Sequence, residues 1–153
     1  MGELRLPELG DRYNAAETYV DAHRAERPDK IAIRCQGRSV TYGEMARNVD
    51  RCGNALRGLG VDIEDRVAIL CVDSPAFVYA FFGAIKLGAV PVPTNTLLTP
   101  RDLAYILRDS RAVAIVVSAP LLPKVLEAQK HCPRLRHVLV TTSGTDAVDG
   151  ALP

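Results

Sequence analysis

The residues of this chain with chemistry to offer are mostly hydroxyls and a carboxamide. They gather in short loops: Asp73-Ser74, 93–99, Ser118-Ala119 and 141–146. Each loop follows an apolar run and precedes a helix or a turn. In an open parallel sheet such loops share one edge, where helix N-termini and strand carboxyl ends converge and ligands bind. Ser74, Thr99 and Ser118 stand where a helix needs its first amides satisfied, so capping accounts for them. The stretch Thr94-Asn95-Thr96-Leu97-Leu98 is longer than a cap requires. Asn95 and Thr96 have no evident local duty there, which makes them the candidate binding residues.

Other sites are weighed and set aside. Gly58-Leu59-Gly60 ends a helix rather than opening one after a first strand, so no dinucleotide fingerprint exists, and no phosphate-loop motif ending in Gly-Lys-Ser/Thr is present. Paired acids of a phosphoacceptor site, a Ser-His-Asp or Cys-His constellation and a carboxylate pair are also missing. Cys35, Cys52, Cys71 and Cys132 are widely spaced beside apolar runs, and His23, His131 and His137 lack metal-ligand spacing. They read as reduced thiols of a cytoplasmic protein and ordinary histidines, with His131 and Cys132 at a helix end. Tyr13, Tyr19, Tyr42, Tyr79 and Tyr105 fall where a ring can pack on a core.

The elements that must position the loops follow from periodicity and punctuation. Asn14 can cap a helix over 15–26, which Pro28 ends. Residues 31–35 and 39–41 form a hairpin around Gly37. Thr41-Tyr42-Gly43-Glu44 is a capping box, and the helix it opens carries Met45, Val49, Cys52, Leu56 and Leu59 on one stripe. Gly58 and Gly60 close that helix. Residues 66–72 form a strand apolar on both faces. Asp73-Ser74-Pro75 starts a helix that is apolar nearly all round and needs cover on every side. A strand over 89–92, a helix from Thr99-Pro100, a strand over 112–117, a helix over 120–132 and a strand over 137–141 complete the series. Strands alternating with helices at this spacing make right-handed crossovers and a mainly parallel sheet flanked by helices: the fold class is α/β.

The 153 residues suffice for one domain, and 48% hydrophobic with 24% charged residues is a globular composition. Nineteen basic against eighteen acidic residues leave a net charge of +1 without long blocks of either sign, so neither a nucleic-acid nor a membrane partner is expected. Residues 1–9 lack the apolar core of a signal peptide, and 76–85 is half a bilayer span followed by Lys86.

From Tyr13 to about Leu139 the chain resembles the N-terminal portion of the adenylate-forming superfamily. The matching stretches are Pro28-Asp29-Lys30-Ile31-Ala32-Ile33, Val40-Thr41-Tyr42-Gly43-Glu44, 54–60, 66–70 and 73–99. More selective stretches are 13–21, 81–88, Asn95-Thr96-Leu97-Leu98-Thr99-Pro100, Asp109-Ser110-Arg111, Val116-Val117-Ser118 and Leu121-Leu122-Pro123, which look like the benzoate-CoA ligase group.

The resemblance implies a parent enzyme using ATP, Mg²⁺ and coenzyme A on an aromatic or other small carboxylic acid. The acid would attack the α-phosphate of ATP, and the coenzyme A thiol would then displace AMP from the acyl-adenylate. It implies an N-terminal extension over 1–12, a partial N-terminal domain over 13–141 and a truncated tail over 142–153. Thr142-Ser143-Gly144-Thr145 looks like the opening of the family's phosphate loop, but the continuation Asp146-Ala147-Val148-Asp149-Gly150 brings carboxylates and no lysine. Negative charge repels phosphate, so the stretch reads as a post-strand turn. No catalytic residue carries over, and none of the cofactors is expected to bind tightly to this chain alone. Asn95 and Thr96 would line the coenzyme A approach, although some relatives carry a basic residue where Leu97 stands. The fragment is expected to be inactive by itself. The other readings are a non-catalytic interaction module that self-associates through exposed apolar surface, another adenylate-forming enzyme such as an aminobenzoate- or fatty-acid-CoA ligase, and a small flavodoxin-like protein.

Overall fold

The computed structural model describes residues 13–141 and the backbone of 148–152. A small antiparallel hairpin stands beside a sheet of five strands. The chain enters through a π-helical turn, Glu17–Asp21, that runs into α1, Ala22–Glu26. Asn14 accepts from the Ala16 amide at 2.9 Å, as its capping position requires. Its side-chain NH₂ donates to the Ile85 carbonyl at 2.9 Å, which ties this entry segment to a distant helix end.

Strands β1, Ile31–Cys35, and β2, Arg38–Thr41, form the hairpin. Gln36 and Gly37 both take positive φ, 49° and 79°, the twist that matches a tight hairpin. Thr41 then caps α2, Tyr42–Gly58, by accepting from the Glu44 amide at 3.2 Å. The expected reciprocal half of the box is replaced, because the Glu44 carboxylate accepts from Arg38 at 3.1 Å. Gly60, at φ 77°, ends the helix: its amide reaches the Arg57 carbonyl and the Val61 amide reaches Leu56.

The sheet comprises β3, Arg66–Leu70; β4, Val90–Pro93; β5, Ala114–Ser118; β6, His137–Thr141; and β7, Val148–Leu152, in the order β4-β3-β5-β6-β7. The first four are mutually parallel. The last pairs antiparallel with β6, a strand that the residue pattern alone does not predict. Val90 donates to the Asp65 carbonyl and Thr94 to that of Ile69, so the alternate residues Pro91 and Pro93 turn their missing N–H toward the open edge. An edge strand built this way resists pairing with another chain.

Alternate strand residues bury against different helices. Val67, Ile69, Ala114, Val116 and Leu139 join α2 and α3, Pro75–Leu87, in one core. Ala68, Leu70, Ile115, Val117 and Val138 join α4, Pro100–Asp109, and α5, Leu122–Gln129, in the other. Cover on both faces is why these strands read as unbroken apolar runs. In α3 only Tyr79, Ala80, Gly83 and Ala84 are buried, while Phe77, Val78, Phe81 and Phe82 are partly covered.

Candidate functional site

The carboxyl edge of the parallel strands brings together 71–74, 94–99, Ser118 and Thr141. Backbone and side-chain bonds fix each loop. At the end of β3, the Val72 amide donates to the Ser118 hydroxyl at 3.1 Å, stitching β3 to β5. Ser118 is 3% exposed and makes no side-chain cap for the 3₁₀ turn Ala119–Leu121. The capping role expected of Ser118 is therefore replaced by a cross-strand one. Ser74 occupies the N-cap of α3 without a side-chain cap bond; its carbonyl accepts from Phe77. Pro75 stands at the first helical position, where its missing amide costs nothing. Thr99 does cap: its hydroxyl accepts from the Asp102 amide at 3.2 Å and donates to the Asp102 carboxylate at 2.7 Å.

The loop after β4 is the most elaborate of these. Thr94 sends both its amide and its hydroxyl to the Ile69 carbonyl, each at 2.9 Å. The Asn95 side-chain oxygen accepts from the Leu97 amide at 2.8 Å, an Asx-turn, and its carbonyl accepts from Leu98 at 3.2 Å. Asn95 thus has the local duty that its sequence context did not reveal. The Thr96 carbonyl accepts from Lys124 Nζ of α5 at 2.6 Å. Among the described residues, the Asn95 NH₂ and the Thr96 hydroxyl have no hydrogen-bond partner. Leu97, between these groups and the helix, is 86% exposed. The loop is therefore held through its backbone, the Thr94 hydroxyl and the Asn95 side-chain oxygen.

The nucleophile-like groups near this edge are quenched. Cys71 is buried, and burial pushes its thiol above the ordinary value against the opposing hydrogen bonds of Ser118 and Thr141. Beneath it Cys52 is pushed up to about 12, by burial first and by Cys71 second. Neutral, enclosed thiols are poor nucleophiles. Among the described residues no group of three or more His, Cys, Asp or Glu could hold a metal ion. Asp102 is committed to Thr99 and Lys124 to Thr96. A magnesium triphosphate needs converging amides, a cation and a carboxylate, and the described residues of this edge do not fit one. Thr142-Ser143-Gly144-Thr145, read as a turn, lies outside the described residues. From Thr99 at this edge, an open depression of about 480 Å³ runs between α4 and α5, lined by residues that include Arg101, Arg108, Glu127 and His131. No described helix is long and apolar enough to cross a membrane.

Sequence reasoning singles out Asn95 and Thr96 but misses Lys124 and the true partner of Ser118.

Residues 20–152 match the family model described as AMP-binding enzyme. The benzoate–CoA ligase of Thauera aromatica is 40% identical over 152 residues, 97% of this chain and 28% of the relative. The 4-hydroxybenzoate–CoA/benzoate–CoA ligase of Rhodopseudomonas palustris is 42% identical over 128 residues, 83% of this chain and 24% of the relative. The crystal structure of the anthranilate CoA ligase AuaEII in complex with anthranoyl-AMP superposes with a TM-score of 0.84 at 36% identity, over 88% of this chain and 26% of that one. The chain spans about a quarter of the length of the curated relatives it matches.

Proposed function

From the premise that this chain belongs to the AMP-binding enzyme family, we propose that it supplies the N-terminal sheet layer of a CoA ligase acting on benzoate or a close aromatic acid. The 40% identity to a benzoate–CoA ligase across 97% of the chain is the observation that carries this reading. In the whole enzyme the carboxylate attacks the α-phosphate of magnesium-bound ATP, releasing pyrophosphate, and the coenzyme A thiol then displaces AMP. Charge develops on phosphoryl oxygens in the first step, and on the acyl carbonyl oxygen and the departing AMP in the second, and needs cations and aligned donors. This layer would contribute a rigid parallel-sheet edge and, through Asn95 and Thr96, part of the coenzyme A approach. The 153 residues alone would not make a thioester. The test exchanges the matching N-terminal segment of the Thauera aromatica benzoate–CoA ligase for residues 13–141 of this chain. Benzoyl-CoA formation with kcat within roughly tenfold, about 1.4 kcal/mol of barrier, supports the reading. A folded chimera without activity on any aromatic acid contradicts it.

A second reading, self-association, is favoured by one observation. Phe77, Val78, Phe81, Phe82 and Leu87 of α3 are only partly covered within this chain. Phe77 and Phe81 stack with ring centroids 6.2 Å apart, and Phe82 meets Phe81 edge-on at 5.4 Å. Sedimentation across a concentration series distinguishes the two: a monomer at every concentration removes this reading.

A further inference from the structure

One side chain ties the loop that carries Asn95 and Thr96 to the helix α5. Lys124 is the third residue of α5, which continues the 3₁₀ turn Ala119–Leu121. The bond between Lys124 Nζ and the Thr96 carbonyl, at 2.6 Å, crosses 28 residues of sequence and is part-buried. The Asn95 bonds to the Leu97 and Leu98 amides lie within the loop itself, so they shape a turn without fixing where the turn sits.

We propose that Lys124 is a positioning residue: its ammonium holds the Thr96 carbonyl and so sets the place at which the Asn95 NH₂ and the Thr96 hydroxyl meet coenzyme A. The proposal rests on the coenzyme A reading of this loop. A charged donor makes the stronger kind of hydrogen bond, and a lysine brings it on a stem long enough to span from α5 to the loop.

The experiment compares the unaltered chain with Lys124→Met and Lys124→Arg by amide exchange and by titration with coenzyme A, both read residue by residue by NMR. Lys124→Met is expected to speed exchange of the Leu97 and Leu98 amides by about tenfold or more, the effect of losing one charge-assisted bond. The Val72 amide, held by Ser118, should keep its rate, and Lys124→Arg should restore the loop. Coenzyme A should shift the Asn95 and Thr96 signals of the unaltered chain and of Lys124→Arg at concentrations where Lys124→Met shows no shift. Unchanged exchange at Leu97 and Leu98 in Lys124→Met, or an equal rise at Val72, overturns the positioning role. If coenzyme A shifts no loop signal in the unaltered chain, the coenzyme A reading falls and coenzyme A falls with it as the ligand, while the exchange data still decide whether Lys124 sets the loop.

Discussion

Gly53 of α2 and Gly83 of α3 bring their helices into backbone contact: a Cβ on Gly53 would lie 3.1 Å from the Gly83 carbonyl oxygen. A Cβ on Gly83 would lie 3.0 Å from both the Gly53 nitrogen and Cys52 Cβ. Neither obstacle is the end of a flexible side chain, so the helices themselves would have to separate.

Gly83→Ala is therefore expected to destabilise the chain by about 1–3 kcal/mol, the usual result of overfilling a packed interface. Gly58, at the end of α2, has nothing within 4 Å of an added Cβ. There Gly58→Ala should be neutral or stabilising by about 0.5–1 kcal/mol through helix propensity. Urea denaturation of the two variants beside the parent measures both signs. Equal losses would mean that the close crossing carries no weight.

Thiol reactivity should split cleanly. Cys52, Cys71 and Cys132 are 1%, 6% and 4% exposed, whereas Cys35 is only partly buried. Burial raises the pKa of each of the first three. Iodoacetamide at mildly alkaline pH should modify Cys35 in the folded chain and the remainder only in urea. Mass spectrometry of digested protein reads the order directly; rapid labelling of Cys52 without denaturant would contradict the packing.

Lys86 of α3 joins the entry segment to α2 by reaching Asp21 at 2.7 Å and Asp50 at 2.6 Å, and Asp50 also takes Arg24 at 3.0 Å. Burial alone would lower the proton affinity of Lys86, but the hydrogen bonds and charge of the two aspartates outweigh it and raise the pKa above 10.5. A lysine with a raised folded value contributes stability that is complete below the ordinary range and is lost as pH climbs through the raised value. The denaturation midpoint should therefore hold at neutral pH and fall above 10.5. Lys86→Met should cost about 1–2 kcal/mol at neutral pH and lessen the alkaline fall. An unchanged alkaline profile in that variant would assign the fall to other groups.

The architecture was legible because its signals are local. Pro75, Gly60 and Thr41 punctuate helices by backbone chemistry, and the unbroken apolar runs of β3 and β5 announce a sheet covered on both faces. The site was legible only in outline. Asn95 and Thr96 could be placed at the sheet edge, yet the Asx-turn that occupies the Asn95 oxygen depends on a conformation that residue types alone do not fix. The Lys124–Thr96 and Ser118–Val72 bonds join residues far apart in sequence, and no spacing rule links them. Over α3 expectation and structure agree that more cover is needed than the described chain gives to Phe77, Phe81 and Phe82. An all-round apolar pattern states that cover is needed, but not which part of a protein supplies it.

The most direct measurement supplies the pure 153-residue chain with labelled benzoate, ATP, Mg²⁺ and coenzyme A, and follows adenylate and thioester by chromatography. A sheet layer whose described edge residues do not fit a magnesium triphosphate should yield neither benzoyl-adenylate nor benzoyl-CoA above a protein-free blank. Sustained formation of either product would show that these residues hold a complete active site, and would contradict their role as one layer of a larger enzyme.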